Sequence, residues 1–161
     1  ANPADAEALY WGGQSAISLE LDSTRKPSVA RAWYDKAMQT AAASPLVQVG
    51  AGQADLYENK IDEARQKFES ALTQTRTRKG DNADILIAIA RANTDAPFHD
   101  LETIIAKINA QVEKGEKNAE LYLMLGNAIR KARPGEGGGE AFRNYQEALK
   151  LNPNYALKYK M

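Results

Sequence analysis

Four glycines fall within five positions in ARPGEGGGEAF, residues 132–142. Glycine amides can cradle phosphates, so this stretch is the first candidate for chemistry. A phosphate-binding P-loop requires G-x4-G-K-[ST] after a strand. No Lys-Ser or Lys-Thr follows these glycines. A dinucleotide fingerprint requires G-x-G-x-x-G. Gly135 and Gly137 fit its start, but Glu140 stands where the last glycine belongs. Glu136 and Glu140 would also repel an anion. Pro134 stops the helix before it, and Glu140 suits the first turn of the helix after it. The stretch reads as a lengthened turn between helices.

Other reactive groups are sparse. His99 is the only histidine and the chain has no cysteine. Thiol chemistry, disulfides and cysteine metal sites are therefore excluded, and one histidine makes a poor start for a transition-metal site. A general base would also need a nucleophile and an orienting acid, and nothing near His99 suggests them. Carboxylates such as Asp62, Glu63, Glu113 and Glu116 are frequent, but they accompany cations at helical spacing, as Glu63 does Lys67. That is the pattern of a solvated helix face. The basic run Arg76, Arg78 and Lys79 could meet a phosphate or carboxylate, and could equally complement a helix C-terminus. No aromatic residues interleave with it, which argues against stacking of single-stranded nucleic acid. The expectation is no enzyme and no cofactor.

These residues must be held by something, and the chain repeats itself. ARAWYDKAM at 30–38, ARQKFESAL at 64–72 and AFRNYQEAL at 141–149 align without gaps. Each reads Ala, three residues, aromatic, two residues, Ala, apolar. Steps of four and three put Ala30, Tyr34 and Ala37 on one helical face. Small alanines let a neighbouring helix approach, and the ring fills what remains. Each copy is preceded by an apolar segment with an embedded glycine and a following amide: Gly13-Gln14, Gly52-Gln53 and Gly126-Asn127. Glycine inside a helix costs about 1 kcal/mol against alanine, and is best tolerated where another helix packs on bare backbone. A weaker copy, ILIAIARAN at 85–93, has Ala90 and Arg91 in those places. Its second helix shows Leu101, Ile104, Ile105, Ile108 and Val112 but no aromatic. Tyr10, Trp11, Trp33 and Tyr34 cluster in the first copy, and most of them belong to a core, with one or two able to line a groove.

Punctuation agrees with this spacing. Ser44-Pro45 looks like an N-cap with proline at the first helical position. Gly80 follows the basic run as a helix stop, and Asn152-Pro153 closes another helix. Helices are expected near 5–21, 28–43, 45–58, 61–78, 82–94, 98–114, 119–132 and 138–151. The fold class is all-α: an α-solenoid of about four antiparallel helix hairpins, spanning roughly 5–43, 45–79, 82–116 and 119–153. Residues 154–161 begin a further helix.

On these motifs the chain resembles the tetratricopeptide repeat family, whose pattern is a 34-residue helix hairpin, W-x2-L-G-x2-Y, then A-x3-F, then a closing Pro. The last copy matches best, with Leu125-Gly126, Ala141, Tyr145, Ala148 and Asn152-Pro153. Tyr122 holds the Trp place and Ile129 the Tyr place. The family places glycine and alanine about 12 residues apart, whereas Gly126 to Ala141 is 15 and Gly13 to Ala30 is 17. LDSTRKPS and ARPGEGGG hold the excess, and the third copy is long around DAPFHD. The resemblance implies a right-handed superhelix whose concave face is lined by the first helix of each hairpin. It also implies that the residue after the glycine points into that groove, which selects Gln14, Gln53, Arg91 and Asn127, with Arg130 and Lys131 a turn further on. Such side chains suit hydrogen bonds to an extended peptide, and the mildly basic set suits a weakly acidic one. Part of the family grips C-terminal carboxylates with a lysine four residues before the post-glycine place. Tyr10, Val49, Ile87 and Leu123 stand there, so that role is not expected.

The family shares a shape and not an activity. The expectation is a non-enzymatic scaffold that binds a peptide or protein, as a fragment of a larger protein. The alternatives are a structural spacer, or an accessory domain of an enzyme or transport system such as sugar uptake. Formal net charge is zero, which disfavours a broad grip on nucleic acid or anionic lipid. No apolar run approaches the ~18 residues of a membrane helix. The missing initial Met, the absent cysteines and the short neutral side chains weigh toward an exported or periplasmic bacterial protein over a cytoplasmic one. Repeat arrays need polar caps, and the abrupt C-terminal helix predicts self-association there.

Overall fold

Bare backbone on one helix faces an aromatic ring on the next, and this pairing builds the hairpins. A Cβ on Gly52 would lie 2.6 Å from Phe68 Cε1, one on Gly13 2.1 Å from Tyr34 Cζ, and one on Gly126 2.3 Å from Tyr145 Cε1. Gly13, Gly52 and Gly126 thus each receive the aromatic residue of their own second helix. The copy with Ala90 in the glycine place is the one whose second helix has no aromatic residue.

The structure, a computed structural model, describes residues 3–21, 28–41 and 44–158. Its elements are α1 (Pro3–Leu21), α2 (Ser28–Ala41), α3 (Pro45–Tyr57), α4 (Ile61–Thr75), α5 (Ala83–Asp95), α6 (Leu101–Glu113), α7 (Ala119–Ala132), α8 (Gly138–Leu151) and a 3-10 helix, Pro153–Lys158. Every described segment of regular structure is helical. The expected long turn at 22–27, the end of the second helix at 42–43 and the last three residues lie outside the described residues.

Local chemistry sets the boundaries. Ser44 has extended backbone and accepts from the Val47 N–H at 3.5 Å, with Pro45 opening α3. Asn82 and Asn118 each accept from the two N–H groups at the starts of α5 and α7. α4 ends at Thr75, three residues short of the expected 78, because Arg76 is already extended and residues 77–80 close a tight turn of their own. α6 starts later than expected, at Leu101, because the Asp100 N–H is taken by the side chain of buried Asn93 at 2.8 Å. The glycine stretch turns the chain between α7 and α8. Gly135 has φ +90, and Gly137 has no room for a Cβ beside Ile129 and the Arg133 carbonyl. Gly138 and Gly139 lie in the first turn of α8 with open space around them.

Hairpins α1–α2, α3–α4, α5–α6 and α7–α8 stack in chain order. First helices α1, α3, α5 and α7 pack on one another in series, while among the described residues the backbones of the second helices do not approach each other. α4 and α6 meet through long side chains, as in Lys107 to Glu69 at 2.7 Å. α3 is buried along Val47–Tyr57 without a break, since α1, α2, α4 and α5 all pack on it. The core runs continuously through the stack, from Tyr10 and Tyr34 through Leu56, Leu72 and Ile89 to Leu125 and Ile129.

One position of the second helix ties each hairpin to the next. Arg31 of α2 bonds Asp55 at 2.7 Å and Glu58 at 2.8 Å at the end of α3. Asp55 is buried, and Lys67 of α4 reaches its other oxygen. In the same register, Arg65 of α4 pairs with Asp100 at 2.9 Å, and Glu102 of α6 pairs with Arg133 at 2.7 Å. The fourth occupant of this register is Phe142 of α8, which is 60% exposed.

Candidate functional site

The six residues expected to line the groove all sit on first helices, and their side chains have distinct fates. Gln14 donates to the Tyr34 hydroxyl at 2.9 Å and to Gln53 Oε1 at 2.6 Å. Gln53 is 1% exposed; its amide nitrogen is directed toward the Tyr57 hydroxyl without completing a well-formed hydrogen bond. These two amides tie α1 to α3 rather than facing solvent. Asn127 accepts from the Tyr145 hydroxyl at 3.0 Å, which links α7 to α8. Lys131 donates to the carbonyls of Thr94 and Ala96, both at 2.6 Å, and of Asn93 at 3.3 Å. Those are the carbonyls that the end of α5 leaves open, where a cation is favoured. Arg130 is exposed and has no acidic partner among the described residues.

Arg91 stands at the centre of this face. Its guanidinium bonds Glu120 of α7 at 2.5 Å, with both side chains about one-third exposed. From the other side comes the Tyr10 hydroxyl of α1. Arg91 is thus reached from α7 and from α1, which is not its immediate neighbour in the series of first helices. Asp95, a turn beyond Arg91, faces both Arg91 and Lys131. Tyr155 of the C-terminal 3-10 helix packs on the core within electrostatic range of Glu120 and Arg91.

Burial shapes the protonation of this cluster. It raises the Tyr10 phenol, with Arg91 opposing, and pushes Tyr57 up to about 12, helped by Asp95. Desolvation raises the Asp95 carboxyl against the pull of Arg91 and Lys131, and it lowers the Lys131 ammonium against the pull of Asp95. His99 is held below its ordinary value by desolvation and by Lys131. Among the described residues, no group of three or more His, Asp or Glu could hold a metal ion. The arrangement is suited to hydrogen bonding and charge pairing.

No protein-family model and no curated protein matches the chain. The functional reading therefore rests on geometry. Sequence spacing located Arg91 but not Glu120, Tyr10 or Asp95, which meet it only when three hairpins are stacked. The one available signal was a charge of opposite sign on the following first helix. Of the four aromatic residues clustered in the first hairpin, Tyr10 and Tyr34 are core, whereas Trp11 and Trp33 are 49% and 41% exposed. Trp33 lies over the bare backbone of Gly12 and donates to the Leu9 carbonyl at 2.7 Å. Among the described residues no helix is long and apolar enough to cross a membrane.

Proposed function

We propose that the chain is a non-enzymatic protein-interaction scaffold, a tetratricopeptide-like array whose first-helix face takes a peptide or protein segment. One observation carries this reading: first helices pack in series while second-helix backbones stay apart. A stack that is tighter on one side curls toward that side, and such curvature makes the concave surfaces that repeat arrays use for binding. The residues available to a ligand are Arg91, Glu120, Asp95, Asn127 and Arg130. Gln53 and Lys131 contribute by holding the helices that carry them. A weakly acidic segment fits, with its carboxylate replacing Glu120 on Arg91 and meeting Arg130.

The saturation of these side chains by one another favours a second reading, a spacer that binds little. A crosslinking pull-down from source lysate separates the two. One bait is the chain itself; the other carries Arg91→Ala, Asn127→Ala and Arg130→Ala, which leave the helix ties of Gln53 and Lys131 intact. The scaffold reading expects a partner on the first bait that is lost from the second. The same partners on both, or none on either, would support the spacer. The same array also associates with itself through α8, where Phe142 and Leu151 are exposed.

A further inference from the structure

The basic run singled out in the sequence divides in two on folding. Arg76 is paired with Asp81 at 2.7 Å. Arg78 and Lys79 are left at the tip of the turn between α4 and α5, with no acidic partner among the described residues. They line a cleft of about 670 Å3 together with Gln111, Lys114, Gly115 and Glu116, at the end of α6. Three cations thus face the cleft against one carboxylate, and among the described residues Lys114 is also without an acidic partner.

The tip is held far more firmly than an exposed turn needs to be. Thr77 and Gly80 exchange two backbone hydrogen bonds, both 3.0 Å, and the Lys79 N–H donates to Thr77 Oγ1 at 3.2 Å. Gly80 has φ +116, and Gln111 Oε1 occupies the space a side chain would need. Gln111 is 5% exposed and belongs to the next hairpin. Its amide engages the turn from both ends: the oxygen accepts from the Asp81 N–H at 3.1 Å, and the nitrogen donates to the Lys79 carbonyl at 3.4 Å. A buried amide committed in this way fixes where Arg78 and Lys79 start. Fixed starting points reduce the ordering cost of binding.

We propose that this cleft is an oxyanion-binding site for a phosphate-like group carrying two negative charges, presented by a phosphorylated residue of a partner or by a free phosphate. A guanidinium fork with two ammonium groups matches three oxygens and a double charge. The cleft shares no residue with the Arg91 cluster, so the site stands whether or not that face binds a peptide.

The test is amide NMR on the 15N-labelled chain, titrated with inorganic phosphate and, separately, with a short neutral peptide bearing one phosphoserine. The site predicts saturable shifts confined to 77–81, 111 and 114–116. Tighter binding of the peptide would identify a partner's phosphoresidue as the source; equal binding would identify a free phosphate. Arg78→Ala with Lys79→Ala should weaken binding about tenfold, in line with the loss of charge-assisted bonds. Arg143→Ala, an unpaired cation on α8, should change nothing. Gln111→Leu keeps all three cations, and a loss of affinity of about threefold or more would show that the held turn matters and not charge alone. Shifts spread over every basic surface residue without saturation would mean an adventitious ion only and would overturn the proposal. So would full affinity in the Arg78, Lys79 double variant or in Gln111→Leu.

Discussion

Gly52 shows what the recurring glycines do at the scale of single atoms. In an isolated helix, alanine at this position would gain about 1 kcal/mol over glycine. In this stack the added Cβ would sit 2.6 Å from Phe68 Cε1, and Phe68 is buried. Overpacking of this kind costs roughly 1–3 kcal/mol, so Gly52→Ala should lower stability by about 1 kcal/mol net. The Ala90 copy indicates the remedy, since its second helix carries isoleucines in place of a ring. In a Phe68→Leu background the same Gly52→Ala change should be neutral or stabilising. Urea unfolding of the four members of the cycle measures this coupling. Equal effects of Gly52→Ala in both backgrounds would show that the ring and the bare backbone are not what determines the spacing.

At the scale of elements, the start of α2 is held from outside itself. Glu20, near the end of α1, accepts from the N–H groups of Ser28 and Val29, both at 2.8 Å, and of Ala30 at 3.0 Å. A carboxylate placed there satisfies open donors and complements the positive end of the helix. Desolvation pushes the Glu20 carboxyl up, but the N–H groups of Val29, Ala30 and Ser28 outweigh it and hold it below the ordinary glutamate value. A lowered folded pKa means that this stabilisation is complete above the unfolded value of about 4.3 and is lost as pH falls through the folded value. Glu20→Ala should therefore cost about 1–2 kcal/mol at pH 7, like loss of an N-cap. The gap between the variant and the original chain should begin to narrow as pH falls below about 4.3. Thermal melts at pH 7, 5 and 3 test this, and a gap undiminished at pH 3 would count against a charged cap. Glu20 was not legible in the sequence because N-cap rules look one to three residues ahead, and this cap lies eight to ten residues before the N–H groups it accepts from. The helices themselves were legible, since Gly-amide pairs, Ala-x3-aromatic stripes and Asn or Pro stops are local signals. The end of α4 was missed because the cations at 76–79 resemble a helix C-terminus until Gln111, from the next hairpin, captures the turn. Arg91 was found by its place after Ala90, but its contact with Glu120 and Tyr10 depends on how three hairpins stack.

At the scale of the molecule, the two ends of the stack differ in what they can accept. Inside the array, Tyr34 of α2 reaches the bare backbone of Gly50 in the following first helix. Trp11 holds the Gly50 register in α1, where it is 49% exposed, and Tyr145 holds the Tyr34 register in α8. A second copy stacked head-to-tail in register would drive Tyr145 against Trp11, two large rings where the interior junction places a ring on glycine. Two α8 faces meeting symmetrically avoid that clash and bury Phe142, which stands in the register where Arg31 and Arg65 tie one hairpin to the next. A symmetric contact closes at two copies, whereas a head-to-tail contact would grow without limit. Light scattering over a wide concentration range should thus rise from 17.6 kDa toward twice that mass and stop there. Phe142→Arg restores the charge found in the two earlier copies and should return the chain to the monomer mass with unchanged helicity. A single mass at every concentration would rule out association through α8. Growth beyond two copies would show that the ends accept each other despite the two rings, and would move the contact to Trp11.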